Sequence, residues 1–387
     1  MATAAVSCRE LSVVEAGDLS HLLDALERRG YTVIGPQVRD GVVVLDVLHS
    51  APDLPAGWSE VTGNGRYTLK RTGGSFFFRC TPSAQSWKAW LYPPKLRLWR
   101  ASREGSGFRV VPEDGPIPRY ALLGVHSCDL HAFLRLDAVL GQGKYRDPVY
   151  TARRQEAFII AVTCSEPEAN CFCASMGTGP RPTEGYDLCI TEVQEGRRHY
   201  LLVEAGSERG SEVLSDVPRT QPDEKQASMP GVLANKAAAR MGRTVDLHGI
   251  REALYTRLED RYWQEIGKRC LTCGNCTMVC PTCFCTTVED TTDLVGSQAE
   301  RTRRWDSCFT GEFTYIVGGS LRYSPAARYR QWLVHKFAAW QDQFGTPGCV
   351  GCGRCITWCP VGIDITEEIR ALRNGAQKSK EERNGDA

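Results

Sequence analysis

Cysteine spacing places the tightest limit on what this chain can fold into. Residues 270–285 read Cys-Leu-Thr-Cys-Gly-Asn-Cys-Thr-Met-Val-Cys-Pro-Thr-Cys-Phe-Cys. A second run, Cys349-Val-Gly-Cys352-Gly-Arg-Cys355-Ile-Thr-Trp-Cys359-Pro360, repeats the pattern 79 positions later (349 − 270). Each run sets three cysteines at every third position and a fourth just ahead of a proline. Three thiolates on one tight loop reach three corners of a 4Fe-4S cube, and the fourth, carried to the proline, reaches a different cube. This assigns Cys270, Cys273, Cys276 and Cys359 to one cluster, and Cys349, Cys352, Cys355 and Cys280 to a second. Gly274, Gly351 and Gly353 suit such loops, because backbone must pass close to inorganic sulfide. A pair of zinc knuckles is the competing reading, since paired CxxC spacings also hold zinc, but zinc sites seldom use this four-cysteine run.

A second cysteine group is spread over the first half of the chain. The apolar stretch 121–125 turns at His126-Ser127-Cys128-Asp129 into a helix carrying Leu130, Phe133, Leu134, Leu136 and Leu140. Another apolar stretch, 157–162, ends at Thr163-Cys164, and Cys171-Phe172-Cys173 follows in the next loop. Open α/β sheets put their sites at the C-terminal ends of strands, where a helix N-terminus also favours negative charge. Cys128, Cys164, Cys171 and Cys173 are therefore expected to converge as a third 4Fe-4S site. Two alternatives stay open: Cys128 and Cys164 as ordinary buried cysteines, or Cys128 as a thiol activated by the helix N-terminus.

The remaining pattern predicts an α+β protein, an N-terminal α/β domain followed by a helical, ferredoxin-like domain with two clusters. Apolar spacing and turn residues give a helix over 18–30, strands at 31–34 and 42–48, a buried strand at 76–79, a short helix within 85–92 and a hairpin over 187–204. A Ser-, Pro- and Gly-rich stretch places a boundary near residue 218, giving domains 1–217 and 218–372. Residues 246–268 read as one helix, and the insert between the cysteine runs, with its apolar and basic segment 328–344, reads as helical. Cys283, Cys285 and Cys308 are left over; a structural role or contact with the clusters is favoured over a further metal site. The polar tail 373–387 is expected to be disordered.

Composition excludes several function classes. The formal net charge is +1, so neither nucleic acid nor an acidic membrane is indicated as a partner. No apolar run reaches the length of a membrane span, and residues 1–10 lack a signal pattern, so the chain is expected in the cytoplasm. Eighteen cysteines in tight clusters then point to metal-bound thiolates rather than disulfides. There is no GxGxxG or GxxxxGK[ST] run, so a flavin, NAD(P) or nucleotide site of the common kinds is not expected.

From about residue 60 onward the chain resembles the β subunits of cytoplasmic sulfhydrogenase-type NiFe hydrogenases and, more distantly, the related iron–sulfur subunit of anaerobic sulfite reductase. The resemblance rests on Gly124-Val125 leading to Cys128-Asp129-Leu130, Asp147 with Tyr150 and Arg153-Arg154, Cys171-Phe172-Cys173 with Ser175 and Gly177, Cys280-Pro-Thr-Cys283 with Cys285, Trp305-Asp-Ser-Cys308, His335-Lys336-Phe337, and Cys352-Gly-Arg-Cys355 running to Asp364. One departure is visible: His126-Ser127 stands where family members usually carry Arg-Pro. The resemblance implies an electron-transfer subunit placed between a flavin-bearing diaphorase subunit that handles NAD(P) and the small and large subunits of a NiFe hydrogenase. The alternatives are an electron carrier for sulfite or sulfur reduction, or a thiol/disulfide reductase acting at the N-terminal cysteines.

Overall fold

The structure is a computed structural model that describes residues 10–80, 84–113 and 115–385. The signal-sequence reading of the first residues falls almost entirely outside that range. Strands Tyr120–His126 and Phe158–Val162 are buried almost throughout, as the hydrophobic run of a parallel strand covered on both faces requires. They sit in the middle of a seven-stranded sheet. Its order is Leu11–Glu15, Arg198–Ala205, Leu188–Glu195, Phe158–Val162, Tyr120–His126, Thr32–Arg39 and Val42–Val47. The four strands from Leu188–Glu195 to Thr32–Arg39 run parallel, and the flanking pairs are antiparallel.

Because side chains alternate along a strand, Leu123 and Ile160 face a core capped by helices Leu19–Arg28 and Glu208–Ser215. Leu122, Ile159 and Ala161 face the opposite core, under helices Ser127–Leu136 and Pro148–Glu156. Adjacent parallel strands therefore release the chain at Ser127 and Thr163 on the same edge of the sheet. Asp147 caps the helix Pro148–Glu156 by accepting from the Tyr150 amide, 2.8 Å away, and Tyr150 donates its hydroxyl to Asp137.

The 281–348 insert differs from its helical expectation in its first half. Thr286–Thr292 and Gln298–Trp305 form a hairpin, and the second strand pairs with Lys95–Glu104, so strands from both halves of the chain make one four-stranded sheet. The Thr-Thr-Val-Glu-Asp-Thr-Thr sequence of the first strand favours this, since β-branched residues suit pleated backbone. Only the second half is helical: Pro325–Val334, a wider π-turn at His335–Ala339, and Trp340–Phe344.

The single helix expected over 246–268 is two, Ile250–Tyr255 and Tyr262–Arg269. The break is fixed by Asp260, which accepts from the Tyr262 amide, and by the Trp263 indole donating to the Arg257 carbonyl. The strand expected over 76–79 does not form, because the Glu192 carboxylate accepts from the amides of Phe77 and Phe78. Helix Ile365–Gly385 runs on through the described part of the tail, and its buried residues Ile369 and Leu372 lie just before the tail begins. Among the described residues no helix is long and apolar enough to cross a membrane.

Candidate functional site

The two cysteine runs fold as local copies. Thr272 and Gly351, which occupy equivalent positions, both have positive φ (51° and 67°), and so do Gly274 and Gly353 (76° and 75°). These turns end in the short helices Asn275–Met278 and Arg354–Thr357. They also aim backbone amides at sulfur: Thr272 N lies 3.4 Å from Cys270 Sγ, and Gly351 N lies 3.4 Å from Cys349 Sγ. The Ile363 amide points at Cys359 Sγ at 3.3 Å. Donors to sulfur favour thiolate over thiol.

Cys270, Cys273, Cys276 and Cys359 line one cavity together with Phe309, Tyr329, Trp332 and Ile363. Cys355, from the second run, is in the same wall. Cys273 is exposed at its edge. The Trp305-Asp-Ser-Cys308 segment seats the first loop: Ser307 Oγ is 2.7 Å from Thr277 Oγ1, and a Cβ on Gly274 would stand 3.1 Å from it.

Burial disfavours the thiolate forms of Cys349, Cys352 and Cys355, and Cys280 is near enough to each to add to that by repulsion. Two buried lysines attend this group. Lys336 Nζ lies 3.2 Å from Cys280 Sγ and 3.0 Å from Thr282 Oγ1. Lys88 donates to the carbonyls of Cys280 and Cys283 at 3.1 and 2.7 Å, and its ammonium stands 3.8 Å above the Trp305 ring. Burial lowers the Lys88 pKa to about 8, against the pull of the neighbouring thiolates.

Cys128, Cys164, Cys171 and Cys173 line a further cavity with His126, Asp129, Met241 and Arg354, and Cys352 is part of its wall. The second cysteine loop is pressed against this one: the Phe172 amide donates to Gly351 O at 2.9 Å, and a Cβ on Gly351 would meet the Cys173 backbone at 2.7 Å. Arg354 and Asp129 close a bidentate ion pair across the junction, 2.9 Å on each arm, with Arg354 7% and Asp129 1% exposed. Burial pushes the His126 pKa down to about 4, so the imidazole is neutral here.

The remaining cysteines fall beside these sites. Cys283 hydrogen-bonds to Cys280, and Cys285 to Cys308. The Cys308 interaction holds Cys285 down to about pH 7 while Cys308 itself moves up. Among the described residues no three His, Cys, Asp or Glu side chains close on one point as a single metal ion requires. Cys270, Cys273, Cys276, Cys355 and Cys359 line one cavity instead, and Cys128, Cys164, Cys171, Cys173 and Cys352 another.

Burial raises the pKa of Cys128, Cys164, Cys171, Cys173, Cys270, Cys276, Cys349, Cys352 and Cys355. Such groups are comfortable as thiols without metal and give up protons when metal binds. With apolar walls and amide donors, the donor set fits iron–sulfur cubes. Sequence reasoning missed Lys88, Lys336 and the Asp129–Arg354 pair; the one available signal was that Asp129, Lys336 and Arg354 fall inside the motifs that carry the family resemblance.

Residues 269–363 match the family described as 4Fe-4S dicluster domain. This domain defines an iron–sulfur protein of the 4Fe-4S class. Over 263 residues the chain is 33% identical to the sulfhydrogenase 2 subunit beta of Pyrococcus furiosus, covering 66% of this chain and 75% of that one. The chain belongs to the family of sulfhydrogenase β subunits, the iron–sulfur subunits of these hydrogenases. No solved structure matches it.

Proposed function

We propose that this chain relays electrons within a cytoplasmic hydrogenase complex, between a flavin-bearing diaphorase subunit that handles NAD(P) and the small subunit of a NiFe hydrogenase. The observation that carries the reading is that two cysteine-lined cavities share their walls with one cysteine loop. Cys355 stands in the wall of the cavity lined by Cys270, Cys273, Cys276 and Cys359, and Cys352 in the wall of the N-terminal cavity. In this reading Cys270, Cys273, Cys276 and Cys359 hold one cluster and Cys280, Cys349, Cys352 and Cys355 hold the second. Cys128, Cys164, Cys171 and Cys173 hold a third. The second group sits between the others, so the path runs from end to end through it.

A bound 4Fe-4S cube supplies one-electron storage at a potential set by charge, hydrogen bonds and exposure. The chain's own residues supply the rest: amides at Cys270, Cys349 and Cys359 stabilise the thiolates, and Phe309, Trp332 and Ile363 give the first site an apolar wall. Hydrogen and nicotinamide chemistry are left to the partner subunits.

Anaerobic iron analysis tests the assignment. About twelve irons per chain are expected for three filled cubes. About eight, with reactive thiols at Cys128 and Cys164, would replace the third cluster with a thiol-reductase role. Cys276→Ser and Cys352→Ser are each expected to abolish NAD(P)-linked turnover of the complex while hydrogen activation at the partner continues. Full turnover in either variant would overturn the relay.

A further inference from the structure

Lys336 is an unusual residue to find where it is. It lies on the π-turn His335–Ala339 within an otherwise α-helical stretch, a local widening that often marks a functional position. Its residue is 4% exposed. Its ammonium contacts Cys280 Sγ and Thr282 Oγ1, and Thr282 in turn donates to the Gly348 carbonyl at 2.7 Å. The Lys336 carbonyl accepts from the Gly348 amide at 2.7 Å, directly before Cys349. The lysine is thus tied at both ends to the segments that deliver Cys280 and Cys349. A buried charge is retained only where an opposite charge compensates it. Here the neighbours that can carry negative charge are Cys280, Cys283 and Cys349. Of the other buried cations near this site, Lys88 points at the Cys280 and Cys283 carbonyls and the Trp305 ring rather than at a sulfur, and Arg354 is already neutralised by Asp129.

We propose that Lys336 is a positioning residue that raises the redox potential of the central site, the one formed by Cys280, Cys349, Cys352 and Cys355. The inference rests on the ligand assignment proposed above. Reduction adds one negative charge next to a fixed ammonium in a water-poor setting, and that favours the reduced state.

The test is a potentiometric titration of the anaerobically isolated chain, followed by paramagnetic resonance, at matched iron content. In Lys336→Met the reduction equilibrium of one centre should become at least tenfold less favourable, a fall of about 59 mV for one electron, while the other two stay in place. Lys336→Arg, which keeps the charge, should restore most of the shift. If Lys336→Met fails to retain iron, Thr282→Val removes the hydroxyl that steers the ammonium and should move the same centre the same way. The idea is overturned if an iron-replete Lys336→Met, or Thr282→Val in its place, leaves every midpoint unchanged or moves all three together. A shortfall of iron in the unaltered chain would count against the cluster assignment instead.

Discussion

The buried Asp129–Arg354 pair joins the helix that carries Cys128 to the short helix that carries Cys355 and follows Cys352, so its removal should loosen two sites at once. Both arms measure 2.9 Å and neither side chain is more than 7% exposed. Removing one partner of such a pair strands the other charge and costs roughly 3–5 kcal/mol. The two single variants are not equivalent. In Asp129→Asn the stranded guanidinium still faces Cys352 and Cys128, whose negative charge compensates it in part, so the loss should fall near the lower end. In Arg354→Met the stranded carboxylate faces the same sulfurs with like charge, so the loss should be the larger. Taking a urea dependence of about 3 kcal/mol per molar, the midpoint of anaerobic unfolding should fall by about 1 M in Asp129→Asn and further in Arg354→Met. Tryptophan fluorescence and visible cluster absorbance would follow the transition. The double variant Asp129→Leu/Arg354→Met should recover most of the stability, because an apolar replacement of both partners strands no charge. Single variants matching the unaltered chain, or a double variant losing the sum of both, would refute the argument.

Gly351→Ala should expel iron from the N-terminal site, because position 351 needs a φ of +67° and the added methyl would meet the Cys173 backbone at 2.7 Å. Metal analysis should show a loss of about four irons; full retention would show that the two loops do not depend on each other. Burial raises the Glu168 carboxyl to about 8, so it is protonated in the folded chain at neutral pH. Its stabilising contribution is complete below the ordinary value near 4.5 and disappears as pH rises through about 8. Glu168→Gln stays neutral and keeps an acceptor for Thr62, so unfolding midpoints measured from pH 5 to 9 should decline less in the variant. Parallel profiles would sink that account.

Features encoded locally were legible. Cys270 to Cys276 and Cys349 to Cys355 declare themselves by spacing, and their turns follow from the same few residues. Cys128 and Cys164 could be brought to one edge because two apolar strands end just before them, and neighbouring strands of a parallel sheet finish on the same side. What was hidden depends on partners far along the chain. The Thr286–Thr292 strand gains its place only by pairing with Gln298–Trp305, which in turn pairs with residues near 100. Phe77 and Phe78 have strand-like side chains, yet their amides are taken by Glu192, more than a hundred positions away. Lys88 and Lys336 look like surface residues in any window of sequence, since a lysine is buried only when distant groups compensate it.

The shared four-stranded sheet also sets a timetable. Strand Lys95–Glu104 leaves the ribosome 194 residues (298 − 104) before its neighbour Gln298–Trp305 is made. At about 5–20 residues per second that is a wait of roughly 10–40 s. Cys352, which closes the wall of the N-terminal cavity, arrives later still. Cys128, the earliest cysteine of the N-terminal cavity, is thus made more than two hundred residues before Cys352 and Arg354 complete its wall, and iron delivered there in that interval would meet a cavity still open on one side.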